Sequence, residues 1–419
     1  MEGFLPQLVL ILLLIVLFGF FNEKVTKLNY EISLMLFTII LMFVALAVSL
    51  LLGGNAERII KEVQTININE FLMEGVICFM LFAGCCNIRL EDFEKNARQV
   101  TVLAIVATLL GALIYGFMFY GLSYLFGAKL SIPVCLMFGS IVAPTDPIAA
   151  TGILKKFGLP KGISFLIEAE SLLNDGVGAA LFVFFSSMVV ADSNVKFFEV
   201  MGKQLFGAVL VGMLVTLVCY IVFAQTKDNT RRITVSLLAV SASYLLCEIF
   251  GFSGPIASVV CGVLFAYLRR VEKKRKNIEI ETKEYTTFWE FADYLFNSVL
   301  YIMLGLSFLR ILNMPHVLMT SIGAIICNTV ARFVSLFISS NIMGEIPDGY
   351  DKLSFVKLLS WGALRGGLSI ALAMSTQNML DADTYHIVLG GTYAVVFFTT
   401  VVQGLSMKQV YNRISKKVG

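Results

Sequence analysis

Two short phrases place ionisable and hydroxyl side chains in the middle of apolar runs. They are Ala143-Pro144-Thr145-Asp146-Pro147 and Glu170-Ser171-Leu172-Leu173-Asn174-Asp175-Gly176. Both runs are long enough to cross a bilayer, and an ionisable residue at that depth is expensive enough to mark a functional site. Pro144 and Pro147 each lack an N–H, and each steers its preceding residue out of the helical region. A helix is therefore expected to break around Asp146, and broken backbone at membrane depth lasts only where protein buries it or where it lines a wet cavity. The second phrase reads as continuous helix, with Glu170, Ser171, Asn174 and Asp175 inside an arc of about 140°. Carboxylates with hydroxyl and carbonyl oxygens nearby suit a small, hard cation such as Na⁺. Asp175 is the expected centre of that site. It can hold a proton or a cation, not both, and that competition is what exchange requires. Ser171 offers its hydroxyl; Thr145 and Asp146 offer carbonyls freed by the break and side-chain oxygens.

The elements that must position these groups are membrane spans. The chain has 419 residues, 58% hydrophobic and 15% charged, against about 25% charged in a soluble domain. Its mean hydropathy is +0.84. This is an all-α polytopic membrane protein with about thirteen apolar segments. Those that matter below are 69–87, 131–153, 163–190, 253–268, 286–309, 315–340 and 354–376. The first apolar run reads as a retained span. The net charge of +3 says nothing of nucleic acid, and none is expected as a partner. All eight cysteines fall in apolar spans and read as small buried hydrophobes, and two separated histidines argue against a transition-metal centre. No cofactor is expected.

Basic residues set the orientation. With thirteen spans, one set of loops holds Lys24, Lys27, Arg89, Lys95, Arg98, Lys155, Lys156, Lys161, Lys227, Arg231, Arg232, the run from Arg269 to Lys283, Lys352 and the C-terminal tail. The opposite set holds only Arg58, Lys61, Lys129, Lys196 and Arg310. This predicts a cell-membrane protein with its N-terminus outside and its C-terminus cytoplasmic. Residues 55–68 and 88–98 read as interfacial amphipathic pieces. The run Arg269–Glu284 reads equally as a short cytoplasmic helix or a solvated loop.

The twelfth span holds Trp361-Gly362-Ala363-Leu364-Arg365-Gly366-Gly367, where paired glycines weaken the helix at its centre. Spans five and twelve cross in opposite directions, and a pair of interrupted, inverted spans points to a transporter's binding site. Glu170 and Arg365 are the expected buried ion pair, structural in role. Arg332 also needs a partner, which the sequence leaves unassigned. Glu168 shares the face of Asp175 and reads as a solvated charge or an entrance charge. Glu70 and Glu74 fall in or near the third span without an assigned role.

At Thr145-Asp146-Pro147, Glu170-Ser171-x-x-Asn174-Asp175 and Gly362-Ala363-Leu364-Arg365-Gly366-Gly367 the sequence resembles the monovalent cation/proton antiporters, in the NhaP-type branch related to animal sodium/proton exchangers. The resemblance implies thirteen spans in two inverted repeats with broken crossing helices. It implies a dimerisation domain from residues 1–98 (spans one to three) and 191–310 (spans seven to ten). A core transport domain would come from residues 99–190 (spans four to six) and 311–419 (spans eleven to thirteen with a short tail). It further implies a homodimer working as an elevator. By motif position Asp175 is the ion- and proton-binding carboxylate and Ser171 a ligand; Thr145 and Asp146 belong to the unwound crossing, and Glu170 pairs with Arg365. Asn174 marks the branch with Asn-Asp in place of Asp-Asp. One departure stands out: many relatives carry a glutamate where this chain has Ala83.

The function expected is electroneutral exchange of one Na⁺ or Li⁺ for one H⁺, by a secondary transporter and not an enzyme. When the ion occupies the site Asp175 is ionised, and when a proton does Asp175 is neutral; Asn174 cannot ionise. The alternatives are K⁺/H⁺ antiport on the same fold, a cation channel, and an intramembrane aspartyl protease using Asp146 and Asp175, for which no supporting motif is present.

Overall fold

The computed structural model describes residues 4–51, 77–86, 93, 95–146, 158–190, 197–276, 283–312 and 317–418. Every element among them is helical, as a lipid environment demands of a chain that must satisfy its backbone within each segment. The N-terminal helices are α1 (Phe4–Phe21) and α2 (Tyr30–Leu51). Of the third expected span the described part is α3 (Ile77–Cys86); Glu70, Glu74 and the piece at 55–68 lie outside the described residues. Helix α4 (Ala97–Leu125) carries a π-helical stretch at Val102–Ala107. Then come α5 (Ile132–Val142), α6 (Lys161–Val190), α7 (Phe197–Gln225), α8 (Asn229–Ile249) and α9 (Gly254–Lys276). The ninth segment is longer than expected, because the helix runs on through the basic residues to Lys276. Helices α10 (Lys283–Leu312) and α11 (Val317–Ile342) follow. The twelfth segment is two pieces, α12 (Lys352–Trp361) and α13 (Gly367–Ser375). The last is α14 (Ala382–Phe397), a π-helical stretch Phe398–Gln403, and α15 (Gly404–Val418). Nine spans among the described residues are long and apolar enough to cross a membrane.

The helices pack in two groups. Helix α4 packs on α5, α6 and α11, α5 packs on α6, and α14 packs on α11. Helices α7, α8 and α9 pack mutually, α3 lies against α9 and α10, and α10 lies along α2. Rings lock the second group: Phe82 meets Trp289 at 4.5 Å and Phe265 at 5.6 Å, and Phe223 meets Phe265 at 5.4 Å, edge to face. Such pairs gain beyond simple burial. Tertiary caps close exposed helix ends. Asp348 Oδ2 accepts from the Ile163 N–H at 2.9 Å at the start of α6, satisfying a donor that the helix itself leaves open. The eight cysteines are all free thiols, and Cys219 alone is not fully buried.

Candidate functional site

Helix α5 stops at Val142, and the chain runs without regular structure through Pro144, Thr145 and Asp146; Pro147 lies outside the described residues. The twelfth segment opens between Trp361 and Gly367, and the two breaks meet. The Asp146 N–H donates to the Leu364 carbonyl at 2.8 Å. Gly366 is required there: a Cβ on it would stand 2.8 Å from Asp146 Oδ2 and 3.0 Å from Asp146 Cβ. Gly178 serves α6 in the same way, because a Cβ there would strike the Pro144 ring.

Arg365 binds the first break from the second. Its Nη1 donates to the carbonyls of Ala143 at 2.5 Å and Pro144 at 2.8 Å, and its Nη2 to Asn328 Oδ1 at 3.0 Å. These carbonyls are the open, partly negative end of α5, so a guanidinium is a fitting cap. The Arg365 backbone is itself held: its N–H donates to Thr399 Oγ1 at 3.1 Å, and Thr400 Oγ1 donates to its carbonyl at 3.3 Å. Both threonines come from the π-helical stretch after α14, whose extra residue per turn is a common device at functional sites.

The expected Glu170–Arg365 pair is corrected. Glu170 Oε1 pairs with Arg332 Nη1 at 2.6 Å, both side chains buried. Arg332 thereby gains the partner that the sequence left unassigned. Two arginines near mid-span were available to one glutamate, and register between helices, not position along the chain, decides which one it meets.

Asn174 is fully buried and clamps Thr145: its Oδ1 accepts from the Thr145 N–H at 3.2 Å, and its Nδ2 donates to Thr145 Oγ1 at 2.8 Å. Thr145 Oγ1 also lies 2.7 Å from Ser171 Oγ. Ser171 thus stands behind Thr145. A cavity of about 80 Å³ opens in front, lined by Thr145, Asp146, Asp175, Asp293 and Asn297 among apolar walls of Met80, Leu81, Leu172, Leu300 and Leu368. Asp175 is half-buried, and its carboxylate makes no hydrogen bond among the described residues. Glu168, Glu170, Ser171 and Asn174 do not line the cavity. Neither does Ala83, which packs with Phe82 and Trp289 in the aromatic cluster.

The sequence profile described as "Sodium/hydrogen exchanger, transmembrane" matches residues 51–413. The chain belongs to this family. It is 28% identical over 416 residues to the Na(+)/H(+) antiporter NhaP of Pseudomonas aeruginosa, with 93% of each chain covered. It is 30% identical over 367 residues to the Na(+)/H(+) antiporter NhaG of Bacillus atrophaeus, covering 83% of this chain and 66% of that one. The fold matches that of the sodium proton antiporter MjNhaP1 from Methanocaldococcus jannaschii at pH 8, with a TM-score of 0.74, 19% identity and 98% of each chain covered. This exchanger-family member is accordingly a multi-pass membrane protein with the sodium/proton antiporter fold.

Sequence reasoning missed several of its site residues. Asp293, Asn297 and Tyr301 stand at i, i+4 and i+8 on α10, one face of a helix; Asp293 and Asn297 line the cavity, and Tyr301 donates to Asp146 Oδ2 at 2.6 Å. The signal was present: Asp293 is an ionisable residue within an apolar span. Asn328, Thr399 and Thr400 carried no such signal, being neutral side chains whose role is visible only once Arg365 is placed.

Proposed function

We propose that this protein exchanges Na⁺ or Li⁺ for H⁺ at Asp175, one for one. The observation that carries the reading is the Asp175 carboxylate facing a cavity beside Thr145 and Asp146, with no protein hydrogen bond to hold it among the described residues. Its oxygens are open to the cargo. Thr145 and Asp146 bring further oxygen ligands, and Ser171 and Asn174 hold Thr145 from behind. A hard monovalent cation and a proton compete for such a group. Ion and proton use the same carboxylate in turn, so the charge carried is the same in both directions. Glu170 and Arg332 cancel, and Asn174 cannot ionise. The names of the NhaP and NhaG relatives support sodium as the ion.

The wider arrangement proposed is thirteen crossings in two inverted repeats, with the N-terminus outside and the C-terminus in the cytoplasm of a cell-membrane homodimer. The core would comprise residues 99–190 and 311–419, sliding against a dimerisation scaffold of residues 1–98 and 191–310. The two packing groups support that division. The test is reconstitution in proteoliposomes with a pH-sensitive dye, adding Na⁺, Li⁺ and K⁺ in turn under imposed potentials of either sign. Expected is proton movement driven by Na⁺ and Li⁺ whose initial rate ignores the potential, because a net charge crossing would feel about 2.3 kcal/mol per 100 mV. A several-fold dependence on potential would overturn the one-for-one reading, and a response to K⁺ alone would overturn the choice of ion.

A further inference from the structure

We infer that Asp293 is the carboxylate a cation meets first on its way to Asp175 from the basic-loop face of the membrane. The inference rests on the exchange reading above and adds a sided route of access to it.

Asp293 lines the same cavity as Asp175 and Asp146, but it belongs to a different packing group. Asp175 comes from α6 and Asp146 from the break after α5, whereas Asp293 comes from α10. In the thirteen-crossing arrangement proposed above, both α6 and α10 begin at the face that carries the basic loops, at Lys161 and Lys283. At 1.5 Å per residue Asp293 lies about 15 Å along its helix from that end and Asp175 about 21 Å along its own. Asp293 is therefore the shallower of the two when approached from that face.

The side chain is held in place by a neutral neighbour. Asn297, one turn further on, donates Nδ2 to Asp293 Oδ1 at 3.1 Å and to the Asp293 carbonyl at 3.0 Å. A neutral amide fixes the rotamer but brings no counter-charge. No lysine, arginine or histidine is among the residues lining the cavity. Its walls are largely apolar, and a cleft of one sign of charge with low-dielectric walls concentrates the opposite ion. Beyond Asn297 the same face of α10 reaches Tyr301, which touches Asp146. Oxygen atoms thus follow one another along α10 from the shallow carboxylate to the break beside Asp175.

A charge that only recruits the ion acts on one face of the membrane. A ligand that travels with the ion acts on both. The full-length chain is compared in everted and right-side-out membrane vesicles, with the apparent KM for Na⁺ measured from each side. Expected for Asp293→Asn is a KM raised about five-fold at the basic-loop face and unchanged within a factor of two at the other. Asp293→Glu should return most of the lost affinity. The unmutated protein gives an independent arm: raising ionic strength with an impermeant cation should weaken apparent Na⁺ affinity at the basic-loop face alone, through screening. A rise in KM of equal size on both faces, no rise at all, or a salt effect that ignores sidedness would each overturn the inference. Absence of cation-driven proton movement in the unmutated protein would instead defeat the exchange reading itself.

Discussion

The phenol of Tyr301 donates to Asp146 Oδ2 across 2.6 Å, tying helix α10 to the break that follows α5. The two residues belong to different packing groups, so motion of one group along the other must part them. A single intramolecular hydrogen bond contributes about 0.5–1.5 kcal/mol net. Tyr301→Phe removes only the hydroxyl. It should change the initial rate of Na⁺-driven proton movement about tenfold with little change in melting temperature. Kinetics identical to the unmutated protein would show that this bond is not parted during turnover.

Asp175→Asn keeps the size of the side chain and removes its ability to ionise. Exchange should fall to the level of empty liposomes while the purified protein elutes and melts as before. Near-normal Na⁺/H⁺ exchange by this variant would refute the site.

Glu170 and Arg332 are paired out of reach of water. Losing either alone leaves a buried charge without its partner, at a cost of about 3–5 kcal/mol. Replacing both with apolar residues of similar volume should recover much of that loss. A double-mutant cycle read by thermal melting therefore predicts strong coupling between positions 170 and 332, and weaker coupling between 170 and 365. The reverse order would restore the pairing expected from the sequence.

Arg365→Lys keeps the charge but not the planar fork. A single ammonium on a flexible stem does not span the carbonyls of Ala143 and Pro144 and the amide of Asn328 as the guanidinium does. Transport should drop more than tenfold. If lysine supports the normal rate, charge alone suffices at this position.

Asp381 caps α14, and hydrogen bonds from the Thr384 side chain and from its N–H, the latter at 3.1 Å, hold its carboxyl below the usual range. Its stabilising contribution is then complete above the unfolded value of about 3.9 and lost as pH falls through the lower folded value. Asp381→Ala should cost about 1 kcal/mol at pH 7 and progressively less as the pH falls below the unfolded value. Melting curves of the two proteins across the acid range check the sign. A gap that widens in acid would contradict it.

The sequence made the breaks legible because proline and glycine act on the backbone locally, whatever surrounds them. Asp146 and Asp175 were legible because charge inside an apolar span needs a reason. Asp293 met the same criterion, but it follows Lys283, Glu284 and Glu290 closely enough to look like the charged end of its span. Pairing was not legible. Glu170 had Arg332 and Arg365 as candidates at similar depth, and the choice depends on how α6 and α11 are rotated against each other. Ser171 illustrates the same limit, because it shares a helical face with Asp175 yet spends its hydroxyl on Thr145, behind the cavity wall.

Gly366 carries a consequence for inheritance. Asp146 is held by Tyr301 on its carboxylate and by Leu364 on its N–H, so it has no room to retreat from a methyl group at 366. A change at that codon therefore disturbs Asp146 and Tyr301, both far from it along the chain. In a growth selection on salt, revertants of Gly366→Ala should arise as second-site changes at Tyr301 or its neighbours on α10, where slack can be introduced, more readily than within the twelfth segment itself. The genetic map of the crossing would then join codons that lie far apart along the gene.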